Sequence, residues 1–117
     1  MIVKLLDTTL RDGGYLNNWN FGDVAIPEIE KALRLSGIDI VESGFLTSVH
    51  VHTSKNTLYN STDEINGKTL MINLGEYDLS LLNSCCNYRI SFKKHELPLL
   101  KEKLVVLSDK KIKFIKN

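Results

Sequence analysis

An arginine and an aspartate stand side by side near the N-terminus, where an apolar segment meets two glycines. Arg11 and Asp12 lie in residues 7–14, whose sequence is DTTLRDGG. The mainly apolar residues 2–6 predict a strand before them, and the two glycines predict a turn at which a substrate could approach the backbone closely. We therefore expect the charged pair at the C-terminal mouth of the first strand, where a cation and a carboxylate are the beginning of a metal-enolate site.

This segment resembles the first strand of the metal-dependent aldolase and Claisen-type enzymes, a TIM-barrel family that includes 4-hydroxy-2-oxovalerate aldolase, hydroxymethylglutaryl-CoA lyase and isopropylmalate synthase. In that family the strand carries a similar Asp-Thr-Thr-Leu-Arg-Asp-Gly sequence. Residues 14–21, GYLNNWNF, look like the aldolase branch. The resemblance implies a lyase that cleaves a 4-hydroxy-2-oxo acid to pyruvate and an aldehyde through a metal-stabilised enolate.

The resemblance also implies roles for three charged residues. Asp12 corresponds to the carboxylate that binds a divalent metal, Mg or Mn, because such hard cations prefer oxygen ligands. Arg11 corresponds to the arginine that stabilises the enolate oxygen. Glu42, in the sequence VESGF, matches the strand-two glutamate that orients the site. Structural readings stay open: Asp12 could cap a turn, and Arg11 could form a salt bridge with Glu42, since a carboxylate ending a buried strand needs a partner.

The residue after the two glycines departs from the family pattern. Hydroxyacid aldolases often place a histidine there, which acts as the base, whereas this chain has Tyr15. The Tyr15 hydroxyl could reach the substrate as a catalytic group, or its ring could cover the barrel mouth. The sequence allows both roles.

Two further pairs of residues could do chemistry. His50 and His52 would share one face of an extended segment and could chelate a metal, although the metal-binding His-x-His of the family follows strand seven, and a solvated loop is the alternative. Lys93 and Lys94 follow the fourth predicted strand, where a lysine could contact a substrate carboxylate or form a Schiff base. Their alternative is a solvated strand end.

The rest of the chain alternates strand and helix signals. After Asp23, which could cap it, the apolar spacing predicts a helix over 24–35. The second strand is expected to end at Glu42, before a turn at 43–44, and the polar residues 45–68 are expected to form an active-site loop with a reduced helix. The predicted elements are strands at 2–6, 38–42, 69–74, 88–92 and 111–115 and helices at 24–35, 78–84 and 97–107.

This alternation implies a parallel sheet joined by right-handed crossovers. Together with the resemblance, it predicts an α/β fold in which residues 1–117 form one domain, the first four β/α units and the fifth strand of a TIM (β/α)8-type barrel. A complete barrel needs about 250 residues, and a partial one would leave strand edges and its inner apolar face uncovered. We therefore expect a homo-oligomer or pairing with a missing C-terminal half. The isolated chain, which lacks the family's distal histidine ligands, is expected to be inactive.

The composition argues against several other classes. The 15 basic and 14 acidic side chains leave a net charge of +1, which gives no electrostatic reason to expect a nucleic acid or an anionic membrane as partner. The sequence has no apolar run long enough for a membrane span and no signal-peptide pattern, so a cytoplasmic location is expected. Cys85 and Cys86 are adjacent, which argues against an ordinary disulfide framework and favours packing on a helix.

Two other functions are compatible with these residues. One is non-catalytic: a truncated half barrel that self-associates or binds a missing half. The other is a Claisen-type synthase or lyase that uses an acyl-CoA, which the shared signature permits and the aldolase-like residues 14–21 make less attractive. Concentration-dependent folding would support the first, and acetyl-CoA turnover would separate the second from aldol cleavage.

Overall fold

Parallel β-strands form the centre of the fold in the computed structural model, which describes residues 3–61, 65, 67–84 and 86–108. The strands in these residues are β1 (Leu6–Asp7), β2 (Ile40–Leu46), β3 (Leu58–Tyr59), β4 (Thr69–Asn73) and β5 (Asn87–Ser91). The α-helices are α1 (Thr9–Asp12), α2 (Ala25–Leu35) and α3 (Leu97–Ser108). Short 3-10 helices lie at Gly13–Leu16, Leu79–Leu81 and Lys94–Glu96. Among the described helices, none has the length and apolar character needed to cross a membrane.

The strand order across the sheet is β1-β2-β4-β5, and every neighbouring pair is parallel. β3 also pairs with β2, at Phe45 and Leu46, whereas β1 pairs with Ile40 and Val41. Strand β4 pairs with one edge of β2. Strands β1 and β3 therefore both pair with the other edge of β2, one after the other along its length. The predicted α/β class with a parallel sheet is confirmed, and the carboxyl ends of the strands meet at one edge of the sheet.

The strand predicted over 2–6 is largely wrong, because residues 3–5 are not in a strand and β1 covers only Leu6–Asp7. The chain enters α1 almost directly after β1. Asp7 accepts hydrogen bonds from the backbone nitrogen of Thr9 at 2.8 Å and from its hydroxyl at 3.0 Å. The Asp7 carboxylate thereby satisfies two donors in the first residue of the helix. The two glycines then continue into a 3-10 helix, so the turn predicted for them is wrong. Arg11 and Asp12 therefore lie on a short helix at the carboxyl end of β1.

The second strand is longer than predicted. It continues past Glu42 to Leu46, with an irregularity in its pairing to β4 between Glu42 and Gly44. Gly44 has a φ of +147°, and a Cβ there would lie 2.1 Å from the carbonyl oxygen of Thr57. The predicted turn at 43–44 is wrong, because the glycine instead lets the backbone leading into β3 approach β2 closely. β3 itself lies within the segment that was predicted to be a loop with a reduced helix.

Several predicted elements agree with the structure. The helices predicted over 24–35 and 97–107 are confirmed by α2 and α3, and the strands predicted over 69–74 and 88–92 are confirmed by β4 and β5. At the start of α2, however, no side chain caps the helix, so the predicted cap at Asp23 is wrong.

Other elements differ or cannot be compared. The helix predicted over 78–84 is reduced to a three-residue 3-10 helix, whose start Asp78 caps by accepting a hydrogen bond from the backbone nitrogen of Ser80 at 2.9 Å. Cys86 is buried directly before β5 rather than on a helix. The strand predicted over 111–115 and Cys85 lie outside the described residues.

The two faces of the sheet pack differently. Along β4, Leu70 and Ile72 point to one face and Met71 to the other, as the alternation of a strand requires. The first face belongs to the main apolar cluster, which also includes Leu46, Tyr59, Tyr88, Leu100 and Leu107. Met71 belongs to a small cluster with Phe45 and Leu58, against which Trp19 packs. The charged residues described next lie close to this small cluster.

Candidate functional site

Helix α1 carries Arg11 over strand β2. Nε of Arg11 donates a hydrogen bond to Oε1 of Glu42, which is fully buried on β2. Nη1 of Arg11 donates to Oδ1 of the adjacent Asp12 at 2.6 Å. The predicted contact between Arg11 and Glu42 is confirmed, and the guanidinium group binds two carboxylates.

A second arginine binds the other oxygen of Glu42. Nη1 of Arg89, on β5, donates to Oε2 of Glu42 at 2.5 Å, and Arg89 is itself only 8% exposed. A carboxylate removed from water in this way is stable only when it is paired and hydrogen-bonded. Asp12, Arg11, Glu42 and Arg89 therefore form a chain of alternating charges that carries no net charge.

Asp12 is the exposed end of this chain of charges. Its side chain is 54% exposed, and Oδ2 accepts a hydrogen bond from the hydroxyl of Thr8 at 3.0 Å. An exposed carboxylate at the carboxyl end of a strand is accessible to a divalent cation from solvent. Across residues 3–61, 65, 67–84 and 86–108, no three His, Cys, Asp or Glu side chains form a group that could hold a metal ion. Asp12 is therefore not part of such a group among the described residues.

Trp19 is fixed against α1 by an unusual backbone and a hydrogen bond. Asn18 and Trp19 have φ angles of 55° and 60°, in the left-handed region that favours glycine. Nε1 of Trp19 donates to the carbonyl oxygen of Arg11 at 2.6 Å. A Cβ at Gly14 would lie 1.9 Å from the indole ring. Gly14 therefore makes room for the tryptophan.

A cavity of about 170 Å³ opens beside Trp19, at the carboxyl ends of β2 and β4. Its walls include Tyr15, Trp19, Phe45, His50, Asn73 and Glu76. Tyr15 is 69% exposed, and its ring meets that of Trp19 at 4.8 Å between centroids. Tyr15 therefore borders a cavity together with Trp19, whose indole is hydrogen-bonded to the backbone of Arg11. Both roles predicted for Tyr15 stay open.

The two histidines of the His-x-His pair are separated. His50 borders the cavity beside Trp19, whereas His52 borders another one. Nδ1 of His52 lies 3.0 Å from both Oδ1 of Asn56 and the carbonyl oxygen of Leu58. Since both partners are acceptors, Nδ1 of His52 carries a proton and donates it. The shared face predicted for the two imidazoles is wrong, and His52 has a structural role.

Lys93 and Lys94 lie beyond the end of β5 and are both exposed. The backbone nitrogen of Lys93 donates to Oε1 of Glu96 at 2.7 Å, at the start of a 3-10 helix. This arrangement fits the prediction of a solvated strand end.

A second buried carboxylate lies on the opposite side of β2. Glu30, on α2, is 4% exposed and accepts hydrogen bonds from the hydroxyl of Ser43 at 3.1 Å and from Nζ of Lys68 at 2.9 Å. Burial raises the pKa of the nearby Tyr59 above its ordinary value of 10.0, and the Lys68 ammonium opposes this rise. Two neighbouring residues of β2 thus contact charged groups on opposite faces of the sheet: Glu42 binds the two arginines, and Ser43 binds Glu30.

Sequence reasoning missed Arg89, Trp19 and Glu30. Arg89 had a recognisable signal, because it stands in an apolar strand between Tyr88 and Ile90 and must find a buried carboxylate partner. Glu30 and Trp19 had none of comparable strength, since their roles depend on contacts with β2 and α1.

No family model, curated protein or solved structure matches the chain. The resemblance to the metal-dependent aldolases therefore remains one of sequence motif alone.

Proposed function

We propose that this chain carries part of the active site of a divalent-metal-dependent carbon-carbon lyase of the aldolase type. The substrate class is a 4-hydroxy-2-oxo acid, cleaved to pyruvate and an aldehyde. The observation that carries the proposal is the position of Arg11, which is held by buried Glu42 and lies beside exposed Asp12 at the carboxyl end of a parallel strand.

The sheet supports a TIM (β/α)8-type architecture. Strands β1, β2, β4 and β5 lie in chain order, while the short β3 pairs with β2 on the side of β1. A doubly wound sheet instead reverses its order at a switch point. In such barrels the active site lies at the carboxyl ends of the strands. Arg11, Asp12 and the cavity beside Trp19 all lie at this edge, so the proposed site and the proposed fold are consistent.

Arg11 has the donors that an enolate requires. A guanidinium group has five N–H donors, and the bonds to Glu42 and Asp12 use two of them. The remaining donors can bind the oxygen on which negative charge develops, while Glu42 keeps the guanidinium in place. Glu42 is thus a positioning residue that acts through Arg11.

Asp12 is the residue that would hold Mg or Mn, and the bound ion would polarise the 2-oxo group of the substrate. In the cleavage step a base removes the 4-hydroxyl proton, the bond between C3 and C4 breaks, and its electron pair forms the enolate of pyruvate. Protonation of C3 then completes pyruvate. Tyr15 is the candidate for the proton transfer at the 4-hydroxyl, because its ring borders the adjacent cavity.

A single carboxylate does not bind a divalent ion tightly. We propose that the other ligands come from a second copy of the chain or from a complementary half barrel, and that the isolated monomer is inactive. The proposed location is the cytoplasm, with neither a nucleic acid nor a membrane as partner.

Manganese binding tests this function most directly. Calorimetry with Mn would be performed on the chain, on Asp12→Asn and on the matched control Asp23→Asn, which changes another exposed aspartate. The oligomeric state would be recorded at the same concentrations, and pyruvate release from a 4-hydroxy-2-oxo acid would be assayed beside acetyl-CoA turnover. Binding and pyruvate release by an oligomeric form of the chain that are lost only in Asp12→Asn would support the proposal. Binding that Asp12→Asn leaves unchanged, or pyruvate release without added metal, would contradict it.

A second candidate function, a non-catalytic half barrel that self-associates, is favoured by exposed apolar residues near β1. Val3 and Leu5 are 68% and 55% exposed beside an edge strand, where a second copy of the chain could cover them. Sedimentation equilibrium on Val3→Ser/Leu5→Ser would test it, with Val105→Ser as a control at an exposed site on α3. Weaker association in the double variant alone, without metal binding in any variant, would favour this function over the lyase.

A further inference from the structure

Three aromatic rings with different orientations line the cavity beside Trp19. The centroids of Tyr15 and Trp19 are 4.8 Å apart with an interplanar angle of 64°, and those of Trp19 and Phe45 are 5.8 Å apart at 80°. Neighbouring rings thus meet edge to face, and all three residues border the cavity. The π faces of such rings carry negative electrostatic potential, which attracts cations.

Glu76 also borders this cavity. Glu76 is exposed, and Nδ2 of Asn73 donates to its Oε2 at 3.2 Å, which holds the carboxylate at the carboxyl end of β4. The hydroxyl of Ser48 binds the Glu76 carbonyl oxygen at 2.8 Å and fixes the backbone there. An exposed carboxylate beside aromatic rings favours a positively charged ligand and disfavours a free carboxylate.

The other charged groups at this edge do not reverse that preference. Arg11 and Arg89 are balanced by Asp12 and Glu42, as described above. Lys93 borders an adjoining cavity together with Glu76, but within the described part of the chain no ion pair joins their side chains at 4.0 Å or less. His50 also borders the aromatic cavity.

We propose that this cavity binds a small organic ammonium ion, such as a trimethylated amine, between the aromatic rings and the Glu76 carboxylate. The volume of about 170 Å³ is close to that of an engineered cavity which holds benzene, so a group of trimethylammonium size fits. This binding requires neither a metal nor Asp12, and it goes beyond the proposed lyase reaction.

The chain supplies its own reporter for this ligand, because Trp19 is its single tryptophan. Trp19 emission would be followed while choline is added, and separately while 3,3-dimethylbutan-1-ol is added, an uncharged molecule of nearly the same shape. We expect a saturable change with choline and binding of the alcohol that is about tenfold weaker, since the alcohol retains the apolar contact and loses the attraction of the cation.

Two substitutions separate the contributions of charge and aromaticity. Glu76→Gln should weaken choline binding about two- to fivefold and leave the alcohol unaffected, whereas the matched control Glu102→Gln, exposed on α3, should change neither. Tyr15→Leu keeps an apolar wall at an exposed position and should weaken choline binding about threefold. Circular dichroism would verify that each variant keeps the fold.

Several results would overturn the proposal. Equal affinity for choline and the alcohol would mean that the cavity is simply apolar, and the absence of a saturable response to choline would mean that it is not a cation site. Choline affinity that is the same in Glu76→Gln and Glu102→Gln would contradict the role of the carboxylate. Because the titration is performed without metal or oxo acid, these results are independent of the manganese experiment.

Discussion

Arg89 and Glu42 form an ion pair across strand β4, with Nη1 of the arginine 2.5 Å from Oε2 of the carboxylate. The two residues are 47 positions apart in the chain, and both are almost completely removed from solvent. Glu42 also binds Arg11, so the two oxygens of one carboxylate each bind a different arginine. The orientation of Arg11 at the proposed active site therefore depends on a strand that lies two positions away in the sheet.

Glu42→Gln should destabilise the fold strongly. The substitution keeps the size of the side chain but leaves Arg11 and Arg89 without their shared charge in a buried environment. We expect the free energy of unfolding to fall by about 3–5 kcal/mol, the range for removing one partner of a buried pair. Urea unfolding measures the change, and Glu28→Gln, at an exposed position on α2, is the control that should stay within about 0.5 kcal/mol of the original chain.

The double variant Glu42→Gln/Arg89→Met provides a second measure of the same pair. Its loss of stability should be smaller than the sum of the two single losses, because both changes remove the same contact between Glu42 and Arg89. Additive losses would show that the two side chains do not interact in the folded protein.

Gly14→Ala should displace Trp19. The added Cβ would lie 1.9 Å from the indole ring, whereas the nearest atom to a Cβ at Gly13 is 3.7 Å away on Phe21. We expect Gly14→Ala to cost about 1–3 kcal/mol by overpacking and to shift the emission of Trp19 to longer wavelength. Gly13→Ala is the matched control. Its emission should be unchanged, and a similar shift in both variants would mean that the helix rather than the ring contact is responsible.

Gly44→Ala should be among the most damaging single changes in the chain. Gly44 has a positive φ, and a Cβ there would lie 2.1 Å from a backbone oxygen of Thr57. Gly37 also has a positive φ, but nothing lies within 4 Å of its Cβ position. Gly37→Ala should therefore cost only the backbone strain of about 1–2 kcal/mol, and Gly44→Ala about 4 kcal/mol or more. Equal losses in urea unfolding would contradict the close approach of β3 to β2.

Stability should fall at alkaline pH because of Tyr59. Burial raises its pKa in the folded chain above the value of 10.0 that it has when unfolded. The neutral hydroxyl is therefore favoured by folding, so the stabilisation is complete below about pH 10 and is lost as the pH rises toward the folded pKa. Urea unfolding between about pH 9 and pH 11 should show a smaller loss of stability in Tyr59→Phe than in the original chain. Identical slopes would mean that Tyr59 is not the group responsible.

Much of the element order follows from local signals. α2, β4, β5 and α3 were predictable because hydrophobic spacing and strand alternation act over a few neighbouring residues. The contact between Arg11 and Glu42 was also predictable, since a charged residue in an apolar strand requires a partner of opposite charge.

Local signals failed where a distant segment determined the conformation. Glycine is typical of turns, and only the close approach of Thr57 explains why Gly44 lies in the interior of β2. β3 is only two residues long and is flanked by polar residues in the sequence. Its own sequence therefore does not predict its pairing with Phe45 and Leu46. The same reason explains the two glycines after Asp12, which lie in a 3-10 helix under Trp19.

The sequence by itself determined that an arginine and an aspartate follow the first strand of an alternating α/β chain, because the signals for strands and helices are short in range. Only the tertiary structure decided that Arg89 shares Glu42 with Arg11, and that Trp19, Phe45 and Glu76 border one cavity. These relationships join residues from separate strands and loops. They arise when the parallel strands align, since burial then forces each charge to find a partner and each ring a neighbour.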